Sequence, residues 1–306
     1  MSSNKKPSGP WAATVTPLQD GEIDHSRLTG HMQWLTSSGC NGVVLFGSTG
    51  EAASFTVEER MRALEHVLET GIPADKIIVG TGCCALADTI RLSRQAVDSG
   101  CAGVMVIPPY FYKPVSHTGL VNVYSKLIDS IGSANLRVYL YHFPELSGVP
   151  ISNELLQQLI NDYPDQIAGV KDSTGNLEGT LGLINDFPGL DIFTGDDDLL
   201  WPVVKAGGAG SVTATANIIP GLLGEIWQAL SNNSLNPPPA HELASTVWQL
   251  ILNHYPITEA LKICLAEMHG DAGWRAVREP LCTLPADKRT ALLKDIENSG
   301  YTLPNS

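Results

Sequence analysis

The chain has 306 residues, of which 43% are hydrophobic and 17% charged, and it carries a formal net charge of −13 with a pI near 4.9. This composition is typical of a soluble globular protein, and the length suits one large α/β barrel as well as two ordinary domains. The acidic balance argues against a nucleic acid or an anionic membrane surface as partner, so we expect a small-molecule substrate.

The first ten residues are polar and include Lys5 and Lys6, which predicts a flexible tail over 1–10 and no signal peptide. No later run has the length needed to cross a bilayer. Six scattered cysteines without a C-x-x-C pair indicate reduced thiols in a cytoplasmic protein, and they favour neither a disulfide framework nor a zinc site.

Apolar strand-like runs alternate with helical patterns along the chain. A first strand is predicted over 11–18, and a second over 42–46 is followed by a capping box of Thr56 and Glu59 that begins a helix. Further strands are predicted over 76–79, 103–107, 137–141, 167–172, 191–194 and 210–216, each followed by a helical pattern.

About eight strand–helix units at roughly 25-to-35-residue spacing predict an α/β fold, a (β/α)8 TIM barrel over residues 11–230. A doubly wound open sheet is the alternative, which the even spacing disfavours. Three consecutive prolines at 237–239 break the pattern and introduce a C-terminal helical extension, which we place at residues 231–306 with helices over 243–268 and 286–296.

Lys171 stands at the end of the apolar run 167–170. Because burying an ammonium group is costly, a lysine in such a place favours the neutral, nucleophilic amine that imine formation requires. A lysine that reaches the surface at a strand end is the alternative.

Other candidate groups follow the neighbouring strands, whose C-terminal ends carry the active site in barrels of this kind. The loop 47–51 contains Ser48 and Thr49 and can present backbone N–H groups to a carboxylate, or it can be a tight turn only. Tyr141 ends the strand before that of Lys171, where its hydroxyl can move protons at the imine carbon, the alternative being a core tyrosine.

Two other motifs indicate a nucleotide site or a metal site, and each is a weaker indication than the residues at the strand ends. Residues 80–85 match the loose dinucleotide pattern G-x-G-x-x-A, but the acidic residue expected after the next strand is missing. The acidic triplet 196–198 resembles a ligand set for a hard cation, yet consecutive side chains diverge. We therefore predict helix capping and hydroxyl recognition for the triplet, and we expect no metal and no cofactor.

The sequence resembles the family of dihydrodipicolinate synthase and N-acetylneuraminate lyase, the Schiff-base pyruvate aldolases that fold as (β/α)8 barrels. The resemblance covers about residues 10–284 and rests on four motifs. These are Gly42-Val-Val-Leu-Phe-Gly-Ser-Thr-Gly-Glu51 with Glu59, Tyr141-His-Phe-Pro144, Gly169-Val-Lys-Asp172 and Gly195-Asp-Asp197.

The resemblance implies a role for each matching residue. Lys171 forms the imine with the 2-oxo carbon of pyruvate or a pyruvate-derived acid, and Tyr141 is the proton shuttle. Ser48 and Thr49 bind the substrate carboxylate, with Thr49 also in the proton relay, and the carbonyl of Val212 lines the pocket.

Three departures bear on the substrate. Phe111 stands where the family has a tyrosine that reaches across the subunit interface. Leu146, which we place in the substrate pocket, stands where dihydrodipicolinate synthases have an arginine, and Ala214 replaces a hydroxyl residue of the neuraminate lyases. Asp197 and Asp198 align with the acidic pair that those lyases direct at a polyol tail, and we predict that both bind substrate.

We therefore predict a pyruvate-dependent class I aldolase that acts on a hydroxylated 2-oxo acid, such as a 2-keto-3-deoxy sugar acid or a neuraminate-like compound. A dihydrodipicolinate synthase or a 2-oxo acid dehydratase on the same imine scaffold is one alternative. A pyruvate-binding regulatory homologue with poor turnover, because Phe111 interrupts the relay, is the other. The resemblance also implies a homotetramer.

Overall fold

The computed structural model describes residues 6–304, in which eight parallel strands close into a barrel. The barrel strands are β1 (Gly9–Ala13), β4 (Gly42–Leu45), β5 (Ile77–Gly80), β6 (Gly103–Val106), β7 (Val138–His142), β8 (Ile167–Asp172), β9 (Asp191–Thr194) and β10 (Gly210–Thr213). They follow one another around the barrel in chain order, and β10 pairs with β1 to close it. A short antiparallel hairpin, β2 (Leu18–Gln19) and β3 (Glu22–Ile23), follows β1.

Helices surround the barrel and form the C-terminal extension. Those of the barrel are α1 (His25–Ser37), α2 (Val57–Glu69), α3 (Leu86–Asp98), α4 (His117–Ile131), α5 (Pro144–Ser147), α6 (Asn153–Asp162), α7 (Leu177–Asp186), α8 (Leu200–Lys205) and α9 (Pro220–Ser231). The extension consists of α10 (Pro239–His254), α11 (Ile257–Met268) and α12 (Ala286–Asn298). The TIM barrel with a C-terminal helical extension is therefore confirmed.

The apolar strand sequences are explained by burial on both faces of the sheet. One set of side chains, including Trp11, Met105 and Phe193, fills the barrel interior, and a larger set packs between strands and helices. The strands also approach closely at Gly169 of β8, where a Cβ would lie 2.0 Å from the carbonyl oxygen of Asp191 on β9. Glycine at this position therefore allows β8 to carry Lys171 beside β9.

Element boundaries differ from the sequence predictions in two places that matter here. Strand β1 begins at Gly9, so the last two residues of the predicted tail belong to the barrel, whereas residues 1–5 lie outside the described part. The predicted helix over 243–268 is two helices, because Pro256 cannot donate a backbone hydrogen bond and α10 ends at His254.

The capping box that begins α2 is confirmed. The hydroxyl of Thr56 accepts a hydrogen bond from the backbone N–H of Glu59, whose carboxylate accepts one from the backbone N–H of Thr56 at 2.7 Å. Among residues 6–304, no helix is both long and apolar enough to cross a bilayer.

Candidate active site

A cavity of about 170 Å³ lies at the C-terminal ends of the barrel strands. Five of the residues predicted from the sequence line it together: Ser48, Thr49, Tyr141, Lys171 and Val212. They come from four different strands or their following loops, so the closed barrel is what brings them to one place.

Lys171 and Tyr141 form the centre of the cavity. They are direct neighbours in the register of β7 and β8, and each is only 5% exposed. The Nζ atom of Lys171 lies 4.3 Å from the centroid of the Tyr141 ring, and the Tyr141 hydroxyl is 3.1 Å from Oγ of Ser48. An amine, a phenol and an alcohol thus form a connected set within reach of one small ligand.

The loop that carries Ser48 and Thr49 has an unusual backbone conformation. Phe46 and Glu51, which precede and follow the two hydroxyl residues, have φ angles of 61° and 56°, in the left-handed region that non-glycine residues rarely adopt. Within residues 6–304, the backbone N–H groups of Ser48 and Thr49 donate to no protein acceptor. The loop can therefore offer two hydroxyls and two N–H groups to an anion.

The C-terminal extension holds this loop in place through Glu51. Its fully buried side chain is ion-paired with Lys262 of α11, and its second oxygen accepts a 2.9 Å bond from the backbone N–H of Arg278. Burial lowers the pKa of Lys262, and the Glu51 carboxylate opposes that shift. Thr258 of α11 also donates to the carbonyl of Thr49 at 3.4 Å.

The three consecutive aspartates after β9 point in different directions. Asp196 lines the cavity, Asp197 is fully buried and accepts a hydrogen bond from Thr215, and Asp198 accepts a 2.7 Å bond from Gln249 of α10. Neither Asp197 nor Asp198, the predicted binding pair, is among the residues that line the cavity, and a binding role for either stays a prediction. The cause of the divergence is a 3-10 turn over Asp197–Leu199, which rotates each successive side chain to another side.

Burial dominates the electrostatics of the triplet. It raises the pKa of Asp196 to about 6, aided by Asp198 and opposed by Lys171. It raises the pKa of Asp197 to about 8, so this buried carboxyl group is mainly neutral at pH 7. Asp196 makes no helix-capping hydrogen bond, which leaves its side chain to the cavity.

The extension contributes one wall of the cavity that the sequence interpretation did not assign. Trp248 and Leu252 of α10 and Ile257 of α11 line it opposite the strand ends. The apolar run around Lys262 is the one signal in the sequence that could have indicated the role of α11, because a lysine within Ala-Leu-Lys-Ile-Cys-Leu is surrounded by buried positions.

A second cavity of about 180 Å³ shares Ser48 and Tyr141 with the first but is lined mainly by apolar side chains, among them Phe46, Met105, Ile107 and Leu146. Leu146, which we predicted in the substrate pocket, belongs to this cavity alone. The space around Ser48 and Tyr141 therefore has a polar side, toward Asp196, and an apolar side, toward Leu146.

The structure also describes the residues of the two alternative motifs. In the described part of the chain, no group of three or more His, Cys, Asp or Glu residues is placed to hold a metal ion. The glycines of the dinucleotide-like stretch serve close packing: a Cβ on Gly80 would lie 2.2 Å from the carbonyl oxygen of Phe46, and one on Gly82 would lie 2.7 Å from the side chain of Ile107.

Comparison with known proteins decides the family. A profile of the dihydrodipicolinate synthetase family matches residues 6–299, nearly the whole chain. The chain belongs to this family. An uncharacterized DapA-like lyase of Chloroflexus aurantiacus is 35% identical over 289 residues, which cover 94% of this chain and 95% of the relative. A 4-hydroxy-tetrahydrodipicolinate synthase of Methanococcus maripaludis is 32% identical over 212 residues, 69% of this chain and 71% of that one.

Solved structures of family members share the fold. Dihydrodipicolinate synthase from Agrobacterium tumefaciens superposes with a TM-score of 0.84 at 28% identity, covering 96% of this chain and 99% of that one. The chloride-inhibited dihydrodipicolinate synthase from Acinetobacter baumannii, solved in complex with pyruvate, gives a TM-score of 0.84 at 27% identity, covering 97% of this chain and 100% of that one. The chain thus has the aldolase/lyase fold of the dihydrodipicolinate synthetase family.

Proposed function

We propose that this member of the dihydrodipicolinate synthetase family is a class I aldolase that cleaves or forms a hydroxylated 2-oxo acid, with pyruvate as the common fragment. The proposal rests on one observation above all. Lys171 is buried with its Nζ atom against the Tyr141 ring, in a cavity that also contains the hydroxyls of Ser48 and Thr49.

In the proposed reaction, the neutral amine of Lys171 attacks C2 of the 2-oxo acid, and the resulting carbinolamine loses water to give a protonated imine. The cationic imine nitrogen then accepts the electron pair of the C3–C4 bond. That bond breaks, the C4 hydroxyl loses its proton to become an aldehyde, and an enamine remains on Lys171. Protonation at C3 and hydrolysis release pyruvate, and synthesis follows the same steps in reverse.

Tyr141 is the proposed proton carrier for these steps. Its phenol is close to Lys171 and is hydrogen-bonded to Ser48, so a proton can pass between the substrate oxygen and the two hydroxyls without entering bulk water. Thr49 completes this proposed relay, since it lines the same cavity and is only 7% exposed.

The loop over 46–51 is the proposed carboxylate site. Strand β4 lies opposite β8 in the barrel, so a carboxylate bound at Ser48 and Thr49 directs the adjacent 2-oxo carbon toward Lys171. The free N–H groups of the loop supply hydrogen bonds to the negative charge. We propose that the carbonyl of Val212 on β10 lines the same subsite.

A dihydrodipicolinate synthase is the second candidate, because relatives such as that of Methanococcus maripaludis carry this name. Leu146 weighs against it. Its apolar side chain, 54% exposed beside the second cavity, cannot form the bidentate pair with a carboxylate that arginine forms. Complementation of a lysine auxotroph separates the two candidates.

We also propose that the chain assembles as a homotetramer. Phe111 and Tyr112 are 72% and 80% exposed and pack edge to face at 5.2 Å. Two large aromatic side chains left in water in one loop are typical of a protein contact surface.

The proposed chemistry is tested by intact-protein mass after borohydride treatment with pyruvate. We expect a reduced pyruvate adduct on the wild type and on Lys126→Ala, which removes an exposed lysine of α4, and none on Lys171→Ala. Absence of an adduct on folded wild-type protein, or an adduct on Lys171→Ala, would contradict the imine.

A further inference from the structure

Two consecutive cysteines, Cys83 and Cys84, lie in the loop between the C-terminal end of β5 and the start of α3. Cys83 is partly buried, whereas Cys84 is exposed. The backbone N–H of Cys83 donates a 3.0 Å hydrogen bond to the hydroxyl of Thr89 on α3, and Thr89 is buried. The fold therefore holds Cys83 in place, while the thiol of Cys84 is open to a reagent in solution.

A buried cation contacts this pair. Arg60 of α2 is only 3% exposed, and its Nη1 atom donates to Sγ of Cys83 at 3.3 Å. Its Nη2 atom donates to the carbonyl of Gly80 at 2.6 Å, and the guanidinium carbon lies 5.7 Å from the centroid of the Phe46 ring. In the part of the chain that the structure describes, no carboxylate forms an ion pair with Arg60 and its Nε atom has no hydrogen-bond partner. Because buried charges are normally paired, this guanidinium calls for a counter-charge.

The sulfur of Cys83 is the neighbour that can supply this counter-charge. The carbonyl and the aromatic ring are neutral. Burial raises the pKa of Tyr110 to about 12, aided by a hydrogen bond to Cys84 and opposed by Arg60, so this phenol is also neutral at pH 7. A guanidinium beside a cysteine stabilises the thiolate, which is the nucleophilic form. The surroundings of Cys83 thus favour a nucleophilic sulfur whose neighbour in the chain is a second thiol.

We propose that Cys83 and Cys84 form a redox modification site, which a low-molecular-weight disulfide oxidises to a disulfide between the two residues. The thiolate of Cys84 attacks one sulfur of the reagent, the S–S bond of the reagent breaks, and one thiolate leaves. Cys83 then attacks the Cys84 sulfur of this mixed disulfide, and the second thiolate leaves. The two protein sulfurs are oxidised, the reagent is reduced to two thiols, and these take up the two protons of the protein thiols.

The spacing of the two residues makes the modification reversible. Consecutive Cα atoms lie about 3.8 Å apart, closer than the roughly 4.4 Å or more of most disulfide-bonded pairs. A disulfide between Cys83 and Cys84 is therefore strained, and strained disulfides are reduced easily. The site lies beside the apolar second cavity, which Tyr110 lines, and it does not depend on the aldolase chemistry.

The test treats the reduced, assembled protein with glutathione disulfide at neutral pH, blocks the remaining thiols and measures the masses of its peptides without reducing agent. We expect the peptide that contains Cys83 and Cys84 to lose two hydrogens, to carry no glutathione and to return to its original mass with dithiothreitol. Cys282 is exposed and has no cysteine beside it, so it is the internal control and should carry a mixed disulfide. Glutathione on Cys282 with Cys83 and Cys84 both reduced would refute the site.

Three variants test the separate roles. Cys83→Ser removes the attacking sulfur, so glutathione should stay on Cys84; its absence there would contradict the proposed order of attack. Arg60→Met should slow closure of the disulfide about 10-fold, because the guanidinium no longer stabilises the thiolate. Arg62→Met changes an exposed arginine of the same helix and should leave the rate unchanged. Equal closure rates in the wild type and a folded Arg60→Met protein would refute the role of Arg60, and if that variant does not fold, Cys83→Ser decides.

Discussion

The buried ion pair between Glu51 and Lys262 predicts a large effect of one substitution far from the nucleophile. Lys262→Met keeps the length of the side chain but removes its charge, which leaves the Glu51 carboxylate buried with the backbone N–H of Arg278 as its remaining donor. Removing one partner of a buried pair typically costs about 3–5 kcal/mol. We expect about 3 kcal/mol, near the lower limit, because the Arg278 bond survives.

The free energy of unfolding should be measured by guanidinium chloride denaturation, with Arg91→Met as the control. Arg91 pairs with Glu58 at 2.5 Å, but both side chains are 52% exposed, so its loss should lower the free energy of unfolding far less than the loss of Lys262 does. Equal losses in the two variants would refute the reasoning. Adding Glu51→Gln to Lys262→Met should restore part of the stability, since it removes the uncompensated charge.

Lys262→Met should also affect pyruvate binding. Glu51 fixes the end of the loop that carries Ser48 and Thr49, so a displaced loop should raise the KM for pyruvate several-fold while Lys171 remains able to form the imine. An unchanged KM at a reduced stability would show that the pair stabilises the fold without positioning the loop.

Two further predictions concern single groups. Tyr141→Phe keeps the ring beside Lys171 and loses the hydroxyl bonded to Ser48, so kcat should fall about 10²–10⁴-fold; an activity within threefold of the wild type in a steady-state assay would contradict the shuttle. Asp197→Asn should raise the melting temperature more at pH 8 than at pH 5. Because burial raises the folded-state pKa of Asp197 to about 8, the folded protein binds more protons than the unfolded chain between pH 4 and 8, and the stability of the wild type falls as pH rises through that range. Asparagine does not titrate, so the variant does not lose this stability. A thermal shift that is equal at both pH values would be evidence against a neutral buried Asp197.

The strand ends could be predicted from the sequence because the information is local. The apolar run before Lys171 and the alternation of strands and helices place Ser48, Tyr141 and Lys171 at one end of a barrel, and the structure puts them in one cavity. The capping box of Thr56 and Glu59 is likewise decided within four residues.

The orientation of the aspartate triplet could not be predicted in the same way. Which of Asp196, Asp197 and Asp198 faces the cavity depends on a short 3-10 turn and on contacts with Thr215 and Gln249, which come from distant parts of the chain. An alignment of motifs supplies residue types and not side-chain directions.

Contacts between residues far apart in the sequence explain why the roles of Lys262 and Trp248 could not be predicted. Lys262 pairs with a residue 211 positions earlier, and Trp248, on a helix of the extension, lines a cavity whose other walls come from the barrel strands and their loops. Helical periodicity identifies the buried face of an element, but it does not say which loop that face covers.

Because α10 forms part of the cavity wall, the residues that line the cavity belong to two different parts of the chain, and each part can be substituted without changing the other. Lys171, Tyr141 and the loop over 46–51 belong to the barrel, whereas Trp248 and Leu252 belong to a helix outside it. Substitutions on the cavity-facing side of α10 therefore change one wall of the cavity and leave Lys171, Tyr141 and the loop over 46–51 unaltered. For directed evolution, this places the first randomised library on α10 and leaves the strands untouched.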